Sequence, residues 1–180
     1  MIEQPTIEML SALQPLHQHN AMPLPDRYKL VSGAGDSEFE LNSFDRALQA
    51  AQVGRFNLVK VSSIFPAFAA NTDPELVPSG SIMYAAIGSR TSSNLGELIS
   101  AAVAIGVPAD PSQAGVIMET SGTEPAVDLE DKVRRMATLA LEDRGFEIGR
   151  IESISSEHRV EKAGAAFAAV ILWKAEPTIL

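Results

Sequence analysis

The chain has 180 residues and a mass of 19.2 kDa, a length that favours one domain and is sufficient to bury a full core. Its hydrophobic fraction of 46% excludes a wholly disordered chain, and its net charge of −9 argues against nucleic acid as a partner. Cysteine is absent, which excludes disulfides, thiolate zinc sites and cysteine nucleophiles. Neither a membrane-spanning apolar run nor a signal peptide is recognisable, so we expect a soluble, cytoplasmic protein with no membrane partner.

Residues 1–26 are predicted to form an N-terminal appendage, and residues 27–180 the functional domain. The appendage contains four prolines, and Pro23 and Pro25 indicate an extended connector. His17 and His19 also lie there without matched partners, so we interpret them as solvated side chains and predict no metal site.

The first elements of the domain are predicted to be a strand, a turn and a helix. Residues 28–31 (YKLV) resemble a short strand, and the glycine-containing stretch 33–37 indicates the turn that ends it. A helix is expected to open near Ser43 as its N-cap and to stop near Gly54. Asp45 would then lie in the first turn, where the helix dipole favours a carboxylate.

The rest of the domain is predicted to be rich in strands. A second helix is expected over residues 127–144, where apolar residues recur at helical spacing and Gly145 provides a C-terminal cap. The last two strands are expected to pair with each other through the polar segment 155–164. The predicted strands after the first helix are residues 56–64, 82–88, 99–107, 115–119, 146–153 and 165–173.

This order of elements predicts an α+β layered sandwich. Strands outnumber helices and do not alternate strictly with them, which argues against a doubly wound fold. Pairs of alanines occur in many of the predicted strands and indicate sheets that are packed on both faces.

The familiar catalytic motifs are missing from the sequence. Gly33 and Gly35 begin a dinucleotide-binding pattern, but Glu38 occupies its third glycine position. Neither a phosphate-binding loop nor a Gly-x-Ser-x-Gly elbow is found.

A pair of serines, Ser62 and Ser63, ends the predicted strand in the segment NLVKVSSIFP, residues 57–66. Alone, such a pair is ordinarily a polar strand end. In a strained peptide, however, the second hydroxyl can attack the preceding carbonyl and convert the amide into an ester. β-Elimination then cleaves the chain, and hydrolysis of the resulting dehydroalanine leaves a pyruvoyl group.

The segment resembles the self-cleavage site of the pyruvoyl-dependent arginine decarboxylases. Residues 41–48 (LNSFDRAL) are similar to a helix opening of that family, and residues 115–119 (GVIME) to the segment that carries its catalytic acid. The resemblance extends from Tyr28 to Trp173. The family often has two prolines after the serines, whereas here Ala67 follows Pro66.

The resemblance implies a four-layer αββα sandwich that is self-cleaved and assembles as a homotrimer. Cleavage between Ser62 and Ser63 would yield a β chain of residues 1–62 and an α chain of residues 63–180. The α chain would begin with a pyruvoyl group derived from Ser63, so that neither pyridoxal phosphate nor a metal is needed.

The resemblance also implies the reaction and the roles of three further residues. L-Arginine would form a Schiff base with the pyruvoyl group and lose CO2 to give agmatine, the reaction of a lyase. Asn57 matches the residue that assists processing, Asp45 the carboxylate that receives the guanidinium, and Glu119 the proton donor.

Alternatives remain at this point. Singly, Asp45 also fits a carboxylate that stabilises a helix N-terminus, and Glu119 an exposed carboxylate at a strand end. The chain could be a pyruvoyl decarboxylase for another amino acid, or a structural or regulatory homologue that is not processed. The sequence does not distinguish polyamine biosynthesis from acid resistance as the role of the agmatine reaction.

Overall fold

The computed structural model describes residues 24–175, which include two helices and nine strands. None of the helices in this part of the chain is long and apolar enough to cross a membrane. In chain order the elements are β1 (Arg27–Ser37), α1 (Glu40–Ala50), β2 (Asn57–Lys60), β3 (Ile64–Phe65), β4 (Ala70–Asn71), β5 (Ile82–Ser92), β6 (Leu98–Pro108), β7 (Gly115–Gly122), α2 (Ala126–Glu142), β8 (Ile148–Arg159) and β9 (Ala163–Trp173).

The strands form two sheets, with the order β2-β5-β9-β1-β4 in the five-stranded sheet and β3-β7-β6-β8 in the four-stranded sheet. One apolar cluster, which includes Ile105 and Val170, lies between the sheets. A second packs α1 onto the outer face of the five-stranded sheet around Phe167. A third packs α2 onto the outer face of the other sheet around Val133. These layers confirm the predicted αββα sandwich.

Strand β9 shows why the alanine-rich strands require this architecture. All eleven of its residues are buried. Alternate residues face opposite sides of a strand, so that Ala166 and Ala168 contribute to the core between the sheets. Ala165 and Phe167 instead face α1. The prediction of sheets packed on both faces is therefore confirmed.

The turn predicted at residues 33–37 is wrong, because β1 continues to Ser37. Gly33 and Gly35 lie within the strand, where α1 crosses it closely. A Cβ atom on Gly33 would lie 2.3 Å from the carbonyl oxygen of Ala47, and one on Gly35 would lie 2.6 Å from Cβ of Arg46. The glycines therefore serve helix–sheet packing.

The predicted start of α1 is also wrong. The helix begins at Glu40 with Phe39 as its N-cap residue, so Ser43 lies inside it. The Ser43 hydroxyl is buried, and its single proton is shared between the carbonyl oxygens of Phe39 and of Ala163 in β9. Ser43 thus attaches the helix to the sheet, and Asp45 lies beyond the first turn.

The last two strands do not pair with each other as predicted. Strand β8 pairs with β6 in the four-stranded sheet, whereas β9 pairs with β1 and β5 in the other sheet. An entirely buried strand such as β9 is stable at the centre of a covered sheet, while the more polar β8 occupies an edge. Helix α2 and the predicted strand at 99–107 do form, and Gly145 has a φ of +71° after the helix.

Candidate active site

The serine pair lies where the chain crosses from one sheet to the other. Before it, the amide of Val61 donates to the carbonyl oxygen of Ala85 at 3.0 Å, which continues the pairing of β2 with β5. After it, the carbonyl oxygen of Ser63 accepts a hydrogen bond from the amide of Ile117 at 2.9 Å. The prediction of one continuous strand over residues 56–64 is therefore wrong, because β2 ends before the serines and β3 begins after them.

The chain that follows Ser63 is firmly held. Ile64 and Phe65 pair with β7, and the buried Phe65 ring packs edge-to-face with the Tyr28 ring at 4.9 Å between ring centroids. Ser62 itself is exposed and Ser63 is half-buried. The Ser62–Ser63 peptide bond thus joins an exposed residue to a half-buried one, and the chain on its C-terminal side is paired with β7.

Glu119 lies on the strand to which Ser63 is hydrogen-bonded. It follows Ile117 by two positions on β7, and a strand places such residues on the same face. Ile117 belongs to the core between the sheets, so Glu119 faces the same side. Burial raises the pKa of the Glu119 carboxyl, and the positive charge of Lys60 on β2 partly opposes this rise. The structure therefore places Glu119 two residues along β7 from the amide that binds Ser63, on the same face of the strand as Ile117.

Gly88 on β5 allows the two sheets to approach next to Glu119. A Cβ atom at this position would lie 2.6 Å from the carbonyl oxygen of Thr120 and 3.0 Å from that of Ala102. Such a contact with backbone atoms could be relieved only by separating the sheets. The glycine thus contributes to the partial burial that favours a protonated carboxyl at Glu119.

Asn57 lies at the opposite end of β2 from the serines. Its side-chain amide is exposed and donates to the carbonyl oxygen of Gly80 at 2.8 Å. With a rise of about 3.3 Å per residue, the four steps from Asn57 to Val61 cover about 13 Å. A single chain therefore does not bring Asn57 to the Ser62–Ser63 bond.

Asp45 lies on the exposed side of α1, and its carboxylate accepts a hydrogen bond from the Gln49 side chain at 2.5 Å. This helix covers the outer face of the five-stranded sheet, whereas Glu119 faces the space between the sheets. Asp45 and Glu119 are thus separated by a sheet within one chain.

Two groups near the serines were not identified from the sequence. The Ile117 amide belongs to the backbone, so no residue type could indicate it. Lys60 was only weakly indicated by the sequence, because it is a single cation in a mostly apolar segment, three positions before Ser63. Among residues 24–175, no cluster of three or more histidine, aspartate or glutamate side chains could hold a metal ion.

Two surface cavities lie elsewhere. One of about 360 Å³ lies along α2 at Lys132 and Met136. The other, of about 310 Å³, lies beside the end of α1 at Gln52 and Arg55. Neither is lined by Ser63 or Glu119, so these cavities do not enclose the serine pair.

Comparison with known proteins identifies the family. The family model described as pyruvoyl-dependent arginine decarboxylase matches residues 27–177. A pyruvoyl-dependent arginine decarboxylase of Methanocaldococcus jannaschii is 42% identical over 165 residues, which cover 92% of this chain and 99% of that protein. One of Methanococcus aeolicus is 43% identical, over 86% of this chain and 94% of that protein. The chain belongs to the pyruvoyl-dependent arginine decarboxylase family.

A more distant likeness exists to a solved structure, described as that of pyruvoyl-dependent histidine decarboxylase at pH 8. It covers 56% of this chain and 53% of that chain, with a TM-score of 0.44 and 18% sequence identity.

The prosthetic group of this family is a covalently bound pyruvoyl group, and the surroundings of Ser63 fit its formation. The peptide bond before Ser63 follows the exposed Ser62 and lies where the chain passes between the two sheets, whereas the carbonyl of Ser63 is hydrogen-bonded to β7. Breaking the Ser62–Ser63 bond would therefore leave each new end attached to a different sheet.

Proposed function

We propose that this protein is a lyase that converts L-arginine to agmatine and CO2 with a pyruvoyl group made from its own Ser63. The family match over residues 27–177 carries this conclusion. It is supported by the accessible serine pair at the sheet crossover and by a carboxyl with a raised pKa on the adjoining strand.

Self-cleavage is the first step of the proposal. The Ser63 hydroxyl attacks the Ser62 carbonyl carbon, and the peptide nitrogen leaves it, so that an ester replaces the amide. Loss of the Ser63 Cα proton then expels Ser62 as a carboxylate and leaves dehydroalanine at residue 63. Water hydrolyses the dehydroalanine, so that its nitrogen leaves as ammonia and a pyruvoyl group remains. The exposed position of Ser62 admits the water that this hydrolysis consumes.

The residues around Ser63 then have separate tasks in turnover. The pyruvoyl group supplies an electron sink for the electron pair that the departing CO2 leaves behind. Glu119 holds a proton next to Ser63, because burial keeps its pKa raised, and delivers it to Cα of the substrate. Asp45 binds the guanidinium through two parallel hydrogen bonds, a geometry that a lysine ammonium does not match.

A complete site requires a second subunit, because Asp45 and Glu119 of one chain lie on opposite sides of a sheet. We therefore propose a homotrimer in which Ser63 and Glu119 meet Asp45 and Asn57 of the partner subunit. Exposed apolar side chains support contacts at both surfaces. Ile64 next to the serines is 52% exposed, and Leu41, one helical turn before Asp45, is 80% exposed.

The remaining parts of the proposal rest on the sequence. We infer that residues 1–26 are an appendage to a functional domain of residues 27–180 and that the enzyme is cytoplasmic. An exposed Asp45 also permits a pyruvoyl decarboxylase for another amino acid, and an unprocessed homologue would retain the same fold.

Denaturing intact mass spectrometry of purified protein tests the proposal. We expect two chains, residues 1–62 and residues 63–180, the second blocked by a pyruvoyl group, whereas Ser63→Ala should remain one chain. The processed protein should then release CO2 from arginine in preference to lysine, ornithine and histidine. If the parent protein stays a single, unmodified chain, the proposal is wrong and the unprocessed homologue is the remaining interpretation. If the processed protein prefers another amino acid, it is a pyruvoyl decarboxylase for that amino acid.

A further inference from the structure

We propose that the backbone N–H of Ile117 is a catalytic hydrogen-bond donor to the carbonyl oxygen of residue 63. It stabilises negative charge on that oxygen during self-cleavage and again during decarboxylation. The inference rests on the proposed function and adds to it a catalytic group of the backbone.

The geometry of this donor is fixed by the fold. The Ile117 nitrogen lies 2.9 Å from the Ser63 oxygen, within the normal range for an N–H···O hydrogen bond. Ile117 is fully buried, and it pairs with Ile105 on the neighbouring strand β6. On the other side, Val116 pairs with Ile64 immediately after Ser63. The donor is therefore positioned before any charge develops.

The Ser63 carbonyl takes up charge when the ester intermediate breaks down. Transfer of the Ser63 Cα proton to water leaves an electron pair on Cα, which delocalises onto the adjoining carbonyl oxygen. The pair then forms the Cα–Cβ double bond of dehydroalanine, while the Cβ–Oγ bond breaks and Ser62 departs as a carboxylate. A preorganised donor aimed at such an oxygen lowers the barrier of the step that forms the charge.

The same hydrogen bond can persist after processing. Cleavage breaks the bond before residue 63, whereas the carbonyl of residue 63 remains joined to Ile64. The pairing of β3 with β7 does not include Ser62, so it does not depend on the broken bond. In turnover, this carbonyl adjoins the electron sink and shares the negative charge that CO2 loss generates. Donor and acid would thus act from Ile117 and Glu119, two positions apart on β7.

Replacement of the Ile117 N–H by an ester oxygen tests the donor. The corresponding α-hydroxy acid is incorporated during translation of the full chain and retains the isoleucine side chain. The matched control carries an ester at Met118, whose register partner is Ala104 of β6. Successive amides of a strand point to opposite neighbours, so this control removes a ladder hydrogen bond to β6 and retains the Ile117 N–H that binds Ser63.

We expect the Ile117 ester to slow cleavage of the Ser62–Ser63 bond by about 100-fold, the effect of removing one oxyanion donor. The ester between Ser63 and Ser62 should accumulate, and hydroxylamine should cleave it to a Ser62 hydroxamate. Hydroxylamine can also cleave the introduced ester at residue 117, but the fragments then differ in mass from those produced at Ser62, so mass spectrometry distinguishes the two. The Met118 control should process at the parent rate. Equal rates for the parent and both esters, without trapped intermediate, would overturn the inference.

A measurement on the unaltered chain keeps the inference testable if the Ile117 ester does not fold. A single ¹³C-carbonyl label at residue 63 should show the lowered infrared frequency of a hydrogen-bonded amide before and after cleavage. A frequency typical of a carbonyl without a donor would refute the inference in either state. A parent chain that never cleaves would instead contradict the proposed function, so the two failures are distinguishable.

Discussion

The hydroxyl of Tyr28 donates a hydrogen bond to a carboxylate oxygen of Glu152 at 2.9 Å. Tyr28 belongs to β1 and Glu152 to β8, so the bond joins the two sheets. Arg150 binds the same carboxylate at 2.6 Å. Burial raises the pKa of Tyr28, which keeps its hydroxyl protonated as a donor. Because the two residues lie on opposite sides of the serine pair, the bond would link the two chains after cleavage.

The two chains are therefore expected to remain associated after cleavage. Strand β1 of the first chain pairs with β9 of the second over eleven positions, and α1 packs on the same sheet. Native size-exclusion chromatography should give one species that contains both chains, which separate only in denaturant. Elution of residues 1–62 as a separate species in native buffer would contradict this prediction.

The Tyr28 hydrogen bond should contribute measurably to that association. Tyr28→Phe should lower the free energy of unfolding by about 1 kcal/mol or somewhat more, because Glu152 then loses a buried partner. Urea titration of the processed protein measures this change. Tyr84→Phe, an equivalent substitution at a half-buried tyrosine of β5, provides the control, and an equal loss in both variants would show that the Tyr28 bond has no special role.

Replacement of Glu119 by glutamine should separate processing from turnover. Glu119→Gln retains the size of the side chain but cannot hold the proton that we assign to it. Cleavage should still occur, while kcat falls by about 100- to 10,000-fold, the usual contribution of a general acid. The control Glu147→Gln changes an exposed carboxylate and should leave kcat unchanged. Normal decarboxylation by Glu119→Gln would remove this residue from its proposed role.

Lys60 should set the pH range in which Glu119 acts. The positive charge of Lys60 lowers the pKa of Glu119, so Lys60→Gln should raise it. An acid is active while protonated, and the alkaline limb of the kcat profile should therefore move to higher pH. Lys132→Gln, on the outer helix α2, is the matched control. A profile that does not move, or that moves to lower pH, would show that Lys60 does not act on Glu119 in this way.

Gly33 should not tolerate a side chain. In Gly33→Ala the new Cβ would lie 2.3 Å from the carbonyl oxygen of Ala47, and overpacking of this kind costs about 1–3 kcal/mol. Displacement of α1 would also move Asp45, so KM for arginine should rise. In Gly54→Ala the nearest atoms are Cγ and the backbone nitrogen of Gln49, both at 3.1 Å. This contact is less severe, so a smaller loss is expected in urea titrations. Equal stability of both variants would argue against close helix packing at Gly33.

Asp36 should make stability depend on pH. Burial alone would raise its pKa, but the amides of Glu161 and Lys162 and the ring of His158 together lower it. A carboxylate with a lowered folded-state pKa stabilises the protein above its unfolded value of 3.8 and loses this effect as the pH falls through the folded value. Asp36→Asn should therefore be about 1–3 kcal/mol less stable near pH 6.

The pH dependence of that loss is the diagnostic observation. Urea titrations near pH 3 should show a smaller difference between Asp36→Asn and the parent, because the pH is then below the unfolded value of 3.8 and proton uptake by the unfolded parent chain removes part of the stabilisation. A difference that stays constant between pH 3 and pH 6 would mean that the charge of Asp36 does not stabilise the turn between β8 and β9.

Local patterns determined several features correctly. The apolar spacing of residues 127–144 predicted α2, and the alanine-rich runs indicated sheets that are covered on both faces. The serine pair with its flanking residues indicated the family, which the comparisons then confirmed. The roles of Asp45, Asn57 and Glu119 remain predictions. Periodicity and residue chemistry within a short segment suffice for such conclusions because they do not depend on which distant segments meet.

Only the tertiary structure decided features that depend on distant contacts. The glycines at 33 and 35 predicted a turn, but they lie in a strand because α1 packs against them. The sequence of β8 and β9 predicted a hairpin, but each strand pairs in a different sheet. The approach of Ser63 to Ile117 and Glu119 likewise follows from pairing between segments more than 50 residues apart. Strand pairing is set by burial of the whole core, and short-range periodicity carries no information on which strand becomes the neighbour.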